Sequence, residues 1–362
     1  MHPARAALAK AQRIVVKVGS RSLAGSTDLV PALARQIAAK GSGKRAFVVV
    51  TSGAIALGLG RLGYRRRPKE MPSLQAAAAA GQSVLMQRYS EAFGAEGLVA
   101  AQVLLTHADL ADRERLNNAR QALAALLDAG AVPIINENDT VSTEEIRFGD
   151  NDQLAAMVTP LVGADLLLLL TDVDGVMDEG GERIAVMHDA AKVGRIVGTG
   201  PGTGGMTSKM DAAQKATRAG ATVVIAPALR ENVILDVIAG RDIGTLLVPH
   251  ASALRARQHW IMYTLRPQGD VLVDEGAARA LKLGKSSLLP VGVLGVRGEF
   301  HIGDAVRLIT MTGEEIGRGL ARLTSADVAR AARKKGPELD DVLGRASHDE
   351  VVVHRDDLVV VS

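Results

Sequence analysis

The sequence predicts an α/β fold, a mainly parallel sheet buried among helices, followed by a small, mostly β module. Three observations carry this reading. Hydrophobic residues make up 47% of the 362-residue chain and aromatics only 2%, so the core must be Ala, Val, Leu and Ile packed between helices and strands. Short apolar runs rich in β-branched residues alternate with helix-period segments through the first two thirds of the chain. After about residue 265 the texture changes, and ten glycines from Gly269 to Gly319 punctuate short Val, Leu and Ile runs. A chain of this length holds one large domain or two smaller ones. The change of texture favours two, at 1–265 and 269–362, with Arg266-Pro267-Gln268-Gly269 as the linker.

The runs 14–18, 47–50, 99–105, 132–135, 166–170 and 222–226 read as strands. They are nearly continuous apolar stretches, the mark of a sheet buried on both faces. Between 112 and 128, Leu116, Ala119, Leu123, Leu126 and Leu127 recur at helical spacing and Gly130 is a suitable stop. The alanine tract 76–80 lies in another helical stretch, where alanine costs least. In the tail, frequent glycines between short apolar runs read as tight turns of a small β module.

Composition removes several classes of function. The 43 basic and 40 acidic residues leave a net charge of +3, without the basic footprint of a nucleic-acid binder. Arg65-Arg66-Arg67 before Pro68 reads as a solvated loop. With no cysteine, disulfides, thiolate nucleophiles and Cys-ligated metals are excluded, which suits a reducing cytosol. The eight histidines show no metal-ligand spacing, and no residue is assigned as a metal ligand. The run 166–170 is bounded by Asp165 and Asp172, far short of the roughly twenty apolar residues of a membrane span. The N-terminus lacks a secretory pattern. These features predict a soluble, cytoplasmic protein.

Four segments are each suited to one part of a phosphoryl transfer: Lys17-Val18-Gly19-Ser20, Asn136-Glu137-Asn138-Asp139, Gly149-Asp150-Asn151-Asp152, and the run from Gly202 to Lys209. A phosphoryl group in transit spreads charge over its oxygens, so cations and backbone N–H donors must be fixed around it. Lys17 and Lys209 are the candidate cations. Taken singly, the segments have plain alternatives: a solvated lysine, a polar turn, a helix cap and a glycine loop. The glycine segment lacks Walker A spacing. Two aspartates and an asparagine exceed what one helix cap needs, and the functional reading gives Asp150 the task of orienting the lysines while Asn151 and Asp139 grip a polar substrate. Open α/β sheets bind ligands beyond the carboxyl ends of their strands. Lys17, Thr51-Ser52-Gly53, the 136–139 segment and Thr171-Asp172 all follow a predicted strand directly, so they should share one rim, which makes Ser52 a substrate candidate.

In their order, Val50-Thr51-Ser52-Gly53-Ala54-Ile55-Ala56, Asp112-Arg113-Glu114-Arg115, Ile135-Asn136-Glu137-Asn138-Asp139, Gly149-Asp150-Asn151-Asp152, Leu169-Leu170-Thr171-Asp172 and Gly202-Thr203-Gly204-Gly205-Met206 resemble the glutamate 5-kinase branch of the amino acid kinase family. Val273-Asp274-Glu275-Gly276, Ser286-Ser287-Leu288-Leu289-Pro290 and Gly303-Asp304-Ala305-Val306 resemble the PUA domain that follows in that branch. The resemblance covers nearly the whole chain. It implies an αβα sandwich, and transfer of the ATP γ-phosphoryl to the γ-carboxylate of L-glutamate, giving glutamyl 5-phosphate for proline biosynthesis, with Mg2+ bridging phosphates. Carried over by position, glutamate falls to Ser52, Asp139 and Asn151, with Asp152 supporting the substrate side. ATP falls to Lys17, Gly19, Ser20, Thr171 and Asp172, and to Thr203, Gly204, Gly205, Met206, Thr207, Ser208 and Lys209. Lys17, Lys209 and Asp150 form the catalytic set. The resemblance also implies a homo-oligomer inhibited by proline.

Two departures stand out. The family's first loop usually reads Lys-x-Gly-Thr-Ser, whereas Arg21 follows Ser20 here, and the segment after Asp172 is shortened to Asp174-Gly175-Val176-Met177. The rivals are an acetylglutamate or aspartate kinase, disfavoured by the PUA-like tail and the intact Asn-Glu-Asn-Asp segment, and an RNA-binding PUA protein with a vestigial kinase domain. The balanced tail charge, with Trp260 and Phe300 the only Trp or Phe after residue 250, weakens the RNA reading.

Overall fold

In a computed structural model the described residues are 2–41, 45–142, 150–188, 203–250, 254, 256–283, 286–343 and 351–361, with backbone alone for Lys40, Gly41, Asp150, Thr203, Gly204 and Ala256. The chain divides into two compact units, 1–253 and 254–362.

The first unit is built on eight strands: β1 (Arg13–Val18), β2 (Ala46–Val50), β3 (Ala100–Leu105), β4 (Val132–Glu137), β5 (Leu166–Thr171), β6 (Val186–Met187), β7 (Thr222–Pro227) and β8 (Thr245–Leu247). Their order is β3-β4-β2-β1-β5-β7-β8-β6. The pairs from β3 to β7 are parallel, and β8 runs antiparallel to β7. All six runs read as strands in this part of the sequence are strands, and β6 and β8 are additions too short to stand out.

Side chains alternate across the sheet, so each central strand feeds two cores. Ile14, Val16 and Val18 of β1, with Leu166, Leu168 and Leu170 of β5, pack against the helices Leu29–Gly41, Met71–Ala95 and Val233–Ile238. Val15, Leu167 and Leu169 face the opposite core, with the helices Arg113–Asp128, Asp150–Leu161 and Thr203–Arg218. This is the expected αβα sandwich. In the helix starting at Arg113, the Asp112 carboxylate accepts from the Arg115 N–H at 2.8 Å, and Gly130 beyond its end takes φ +75°, the left-handed conformation that glycine allows at a helix stop.

One helix crossing positions the site. Helix Ala54–Arg61 lies against Met71–Ala95, and a Cβ on Gly58 would stand 1.7 Å from the Ala77 carbonyl oxygen, while one on Gly81 would stand 1.8 Å from that of Ala54. Only hydrogen fits at either position, so the two backbones touch directly. The first of these helices follows Thr51-Ser52-Gly53, so the crossing fixes the turn at the end of β2.

The second unit carries β9 (Gly269–Val273), β10 (Val293–Gly298), β11 (Ala305–Ile309), β12 (Glu315–Ala321) and β13 (Val353–Val360), ordered β10-β9-β11-β12-β13. Ile261 and Met262 form a small cluster with Val359 of β13, and Arg257 is hydrogen-bonded to Asp357 at 2.8 Å. Arg257, Ile261 and Met262, placed before the linker by the sequence reading, thus pack in this unit.

Candidate active site

β2 and β5 flank β1, and the carboxyl ends of β1, β2, β4 and β5 open on one cleft. Its lining includes Lys17, Ser20, Ser52, Asn136, Asp139, Asn151, Asp152, Thr171, Asp172, Gly205 and Lys209, so residues from all four segments meet there.

Lys17 comes from the last turn of the pleat in β1 and Lys209 from the second turn of Thr203–Arg218. Both are buried, and the fully buried Asp152 lies between them. Lys17 Nζ is 2.6 Å from Asp152 Oδ1, and Lys209 Nζ is 3.2 Å from Oδ2. Lys209 Nζ also donates to the Gly205 carbonyl at 3.4 Å. Two ammonium groups on one carboxylate leave a surplus positive charge in a desolvated place, which favours an anionic ligand. Burial drives Lys17 below its ordinary pKa, Asp152 opposes the shift and the neighbouring Lys209 adds to it.

The carboxylate described between the lysines is therefore Asp152, the residue the sequence reading set on the substrate side, whereas it gave the task of orienting the lysines to Asp150. Both head the same helix, and which position faces the lysines is decided by how that helix is seated on the sheet. The side chain of Asp150 lies outside the described residues, as do Gly149, Gly202 and the side chain of Thr203.

At the other end the contacts are neutral. The Asn151 amide Nδ2 donates to the Thr51 carbonyl at 2.7 Å, to Ser52 Oγ at 2.9 Å and to Asn136 Oδ1 at 3.0 Å. Gly53 turns the chain here with φ +96°, a conformation that strains any side-chain-bearing residue. Asp139 is half-buried on the cleft wall.

On the third side, Thr171 Oγ1 donates to Asp172 Oδ1 at 3.0 Å and Arg21 Nη1 stands 3.0 Å from Asp172 Oδ2. Burial pushes the Asp172 carboxyl up, but hydrogen bonds from its own backbone and from Thr171, with Arg21 and Lys209 nearby, hold it below its ordinary value. The residue that departs from the family loop is thus an additional cation at the rim. The helix reaches back to Thr203, so Gly204 and Gly205 belong to its first turn. Of this segment Gly205 and Lys209 line the cleft, while Met206 packs toward the core.

Arg67, read as part of a solvated loop, also lines the cleft. Gln82 and Tyr89 support it from behind: Gln82 Oε1 accepts from Asn136 Nδ2 at 2.8 Å, and the Tyr89 hydroxyl donates to Thr51 Oγ1 at 2.9 Å. Their signal in the sequence was weak, a glutamine and a tyrosine seven apart, about two helical turns, in a helix that carries other polar residues such as Gln75, Ser83, Gln87 and Arg88.

An open α/β sheet with a buried cationic bridge at its carboxyl rim defines a protein built to hold an anionic ligand. The amino acid kinase family model matches residues 12–227 and the PUA domain model residues 269–343; the chain belongs to the amino acid kinase family. It is similar to the glutamate 5-kinase of Thermus thermophilus, 46% identical with 97% of each chain covered, and to those of Trichlorobacter lovleyi, 44% identical with 99% of each covered, and Moorella thermoacetica, 43% identical with 99% of this chain and 98% of the relative covered. Among solved structures, N-acetylglutamate synthase from Neisseria gonorrhoeae, complexed with coenzyme A and N-acetyl-glutamate, superposes with a TM-score of 0.53 at 18% identity, covering 68% of this chain and 62% of that one. That likeness speaks to the fold alone.

Among the described residues no helix is long and apolar enough to cross a membrane, and no three His, Asp or Glu side chains gather to hold a metal ion.

Proposed function

We propose that this protein transfers the γ-phosphoryl group of ATP to the γ-carboxylate of L-glutamate, forming glutamyl 5-phosphate for proline biosynthesis. The observation that carries the reading is the bridge of Lys17, Asp152 and Lys209 at the carboxyl rim. Full-length similarity to glutamate 5-kinases supports glutamate over acetylglutamate or aspartate as acceptor, and over RNA binding as the main function.

The acceptor is a carboxylate already ionised at neutral pH, so the site has no proton to remove. Charge is what it must manage. A carboxylate oxygen forms a bond to the γ-phosphorus as the bond to the β–γ bridging oxygen breaks, and ADP leaves. Lys17 and Lys209 hold N–H donors against the phosphoryl oxygens while negative charge is spread over them, and Asp152 keeps the two cations in place between turnovers. Ser52, Asp139 and Asn151 hold glutamate; Thr171, Asp172 and the helix start near Gly205 hold the nucleotide. Two buried cations sharing one carboxylate fit a polyphosphate. Magnesium, bound with the nucleotide, would neutralise part of the phosphate charge.

In this reading the protein is a cytoplasmic homo-oligomer under feedback inhibition by proline. The test is hydroxylamine trapping with Mg-ATP: L-glutamate should give glutamyl hydroxamate. Trapping with aspartate or acetylglutamate but none with glutamate would overturn the proposal.

A further inference from the structure

The helix Met71–Ala95 touches the amide end of the cleft at three points. Gln75 Nε2 donates to the Ser142 carbonyl at 3.1 Å, Gln82 Oε1 accepts from Asn136 Nδ2 at 2.8 Å, and the Tyr89 hydroxyl donates to Thr51 Oγ1 at 2.9 Å. Steps of seven residues are about two helical turns, so the three form one stripe on one face. Each meets a different segment of the acceptor side: the chain after Asp139, the end of β4, and the turn before Ser52.

The hydrogen bonds within this network fix one another. The Thr51 carbonyl can only accept, so Asn151 must turn Nδ2 toward it. Asn136 must then offer Oδ1 to the same amide nitrogen, which sends Asn136 Nδ2 toward Gln82, and Gln82 must answer with Oε1. Two atoms of this network are buried without a hydrogen-bond partner among the described residues, Asn151 Oδ1 and Gln82 Nε2. The first is a buried acceptor that belongs to a residue of the cleft wall. The second is an orphaned donor, which works against stability. Gln82 is therefore poorly explained as a stabilising residue.

We propose that Gln82 is a positioning residue for the acceptor substrate: through Asn136 it holds the Asn151 amide so that Oδ1 faces the ligand's N–H. This rests on the glutamate reading above, in which that N–H belongs to the α-ammonium. Gly81 next to it, pressed on the Ala54 carbonyl, denies the helix the freedom to adjust.

The test is steady-state kinetics of Gln82→Leu, with Gln82→Met as the second variant of similar size. Removing Gln82 exchanges one buried unpaired donor, its Nε2, for another, Asn136 Nδ2, so Tm should stay near wild type. The glutamate KM should rise about tenfold, the scale of one ordinary substrate hydrogen bond, with the ATP KM within about twofold. Glutarate has both carboxylates and no ammonium, so the preference of kcat/KM for glutamate over glutarate should narrow in the variant. Combining Gln82→Leu with Asn136→Ala should add little to Asn136→Ala alone. An unchanged glutamate-to-glutarate ratio, or KM values for glutamate and ATP that rise together, would overturn the inference while wild-type glutamate turnover leaves the functional reading standing. No glutamate turnover by the wild type would overturn both.

Discussion

Asn151 and Asp152 are neighbours on one helix, yet they serve two ends of the cleft built on different physics. Asp152 is fully buried between two ammonium groups, whereas Asn151 works through neutral amide contacts to Thr51, Ser52 and Asn136. Adjacent helical positions are about 100° apart, so a single turn can face both ways. The ionic end suits a ligand whose charge shifts during reaction, because buried charges act strongly over short distances. The amide end suits recognition, because each amide has one donor side and one acceptor side and a mismatch leaves a buried group unpaired.

Asp152→Asn should have the largest effect, because it strips the counter-ion from two buried lysines. Loss of one member of a buried ion pair costs about 3–5 kcal/mol, so we expect a clear fall in Tm, partly recovered by ATP, whose phosphates replace the missing anion, together with a fall in kcat of about 1000-fold. A variant with wild-type Tm and kcat would show that the bridge carries neither stability nor turnover. Lys17→Ala and Lys209→Ala should each lower turnover by roughly 100- to 1000-fold, the scale for one preorganised donor, while the protein still folds by circular dichroism.

At the amide end the effects should be smaller and confined to the acceptor. Asp139→Ala should raise the glutamate KM at least about tenfold, since a hydrogen bond to a charged group is worth about 1.5–3 kcal/mol, with the ATP KM barely moved and the preference over acetylglutamate narrowed. Selective loss of ATP affinity would assign Asp139 to the other end. Tyr89→Phe removes the donor to Thr51 Oγ1 and keeps the ring, so it should cost about 0.5–1.5 kcal/mol of stability and change the glutamate KM by only about two- to threefold, as read by thermal unfolding and initial rates.

The ionic end was more legible in the sequence than the amide end, for a physical reason. Lysines and aspartates placed after buried strands are conspicuous, and the runs that became β1, β2, β4 and β5 were long enough to put them on one rim. Choosing between Asp150 and Asp152 was beyond the sequence, because the rotation of a helix about its axis is set by the core it covers: Leu154, Ala155 and Val158 are buried and pin the rotation that turns Asp152 to the lysines. Gln82 sits in an alanine-rich helix among other polar residues, Gln75, Ser83 and Gln87, where one more glutamine resembles a solvated residue. Arg67 was hidden by its neighbours, since Arg65 and Arg66 give the segment the look of a surface run. Ile261 and Met262 lie before the linker in the sequence, yet find their burial against Val359, almost a hundred residues later, a pairing that local patterning does not reveal.

The glycine contact between the helices Ala54–Arg61 and Met71–Ala95 also bears on how the protein moves. With Gly58 against Ala77 and Gly81 against Ala54, there is no layer of side chains to slide or repack, and small displacements of one helix are passed to the other through backbone atoms. The two helices, the turn at Ser52 and the three supports at Gln75, Gln82 and Tyr89 are therefore expected to open as one cooperative unit, with similar hydrogen-exchange protection across them.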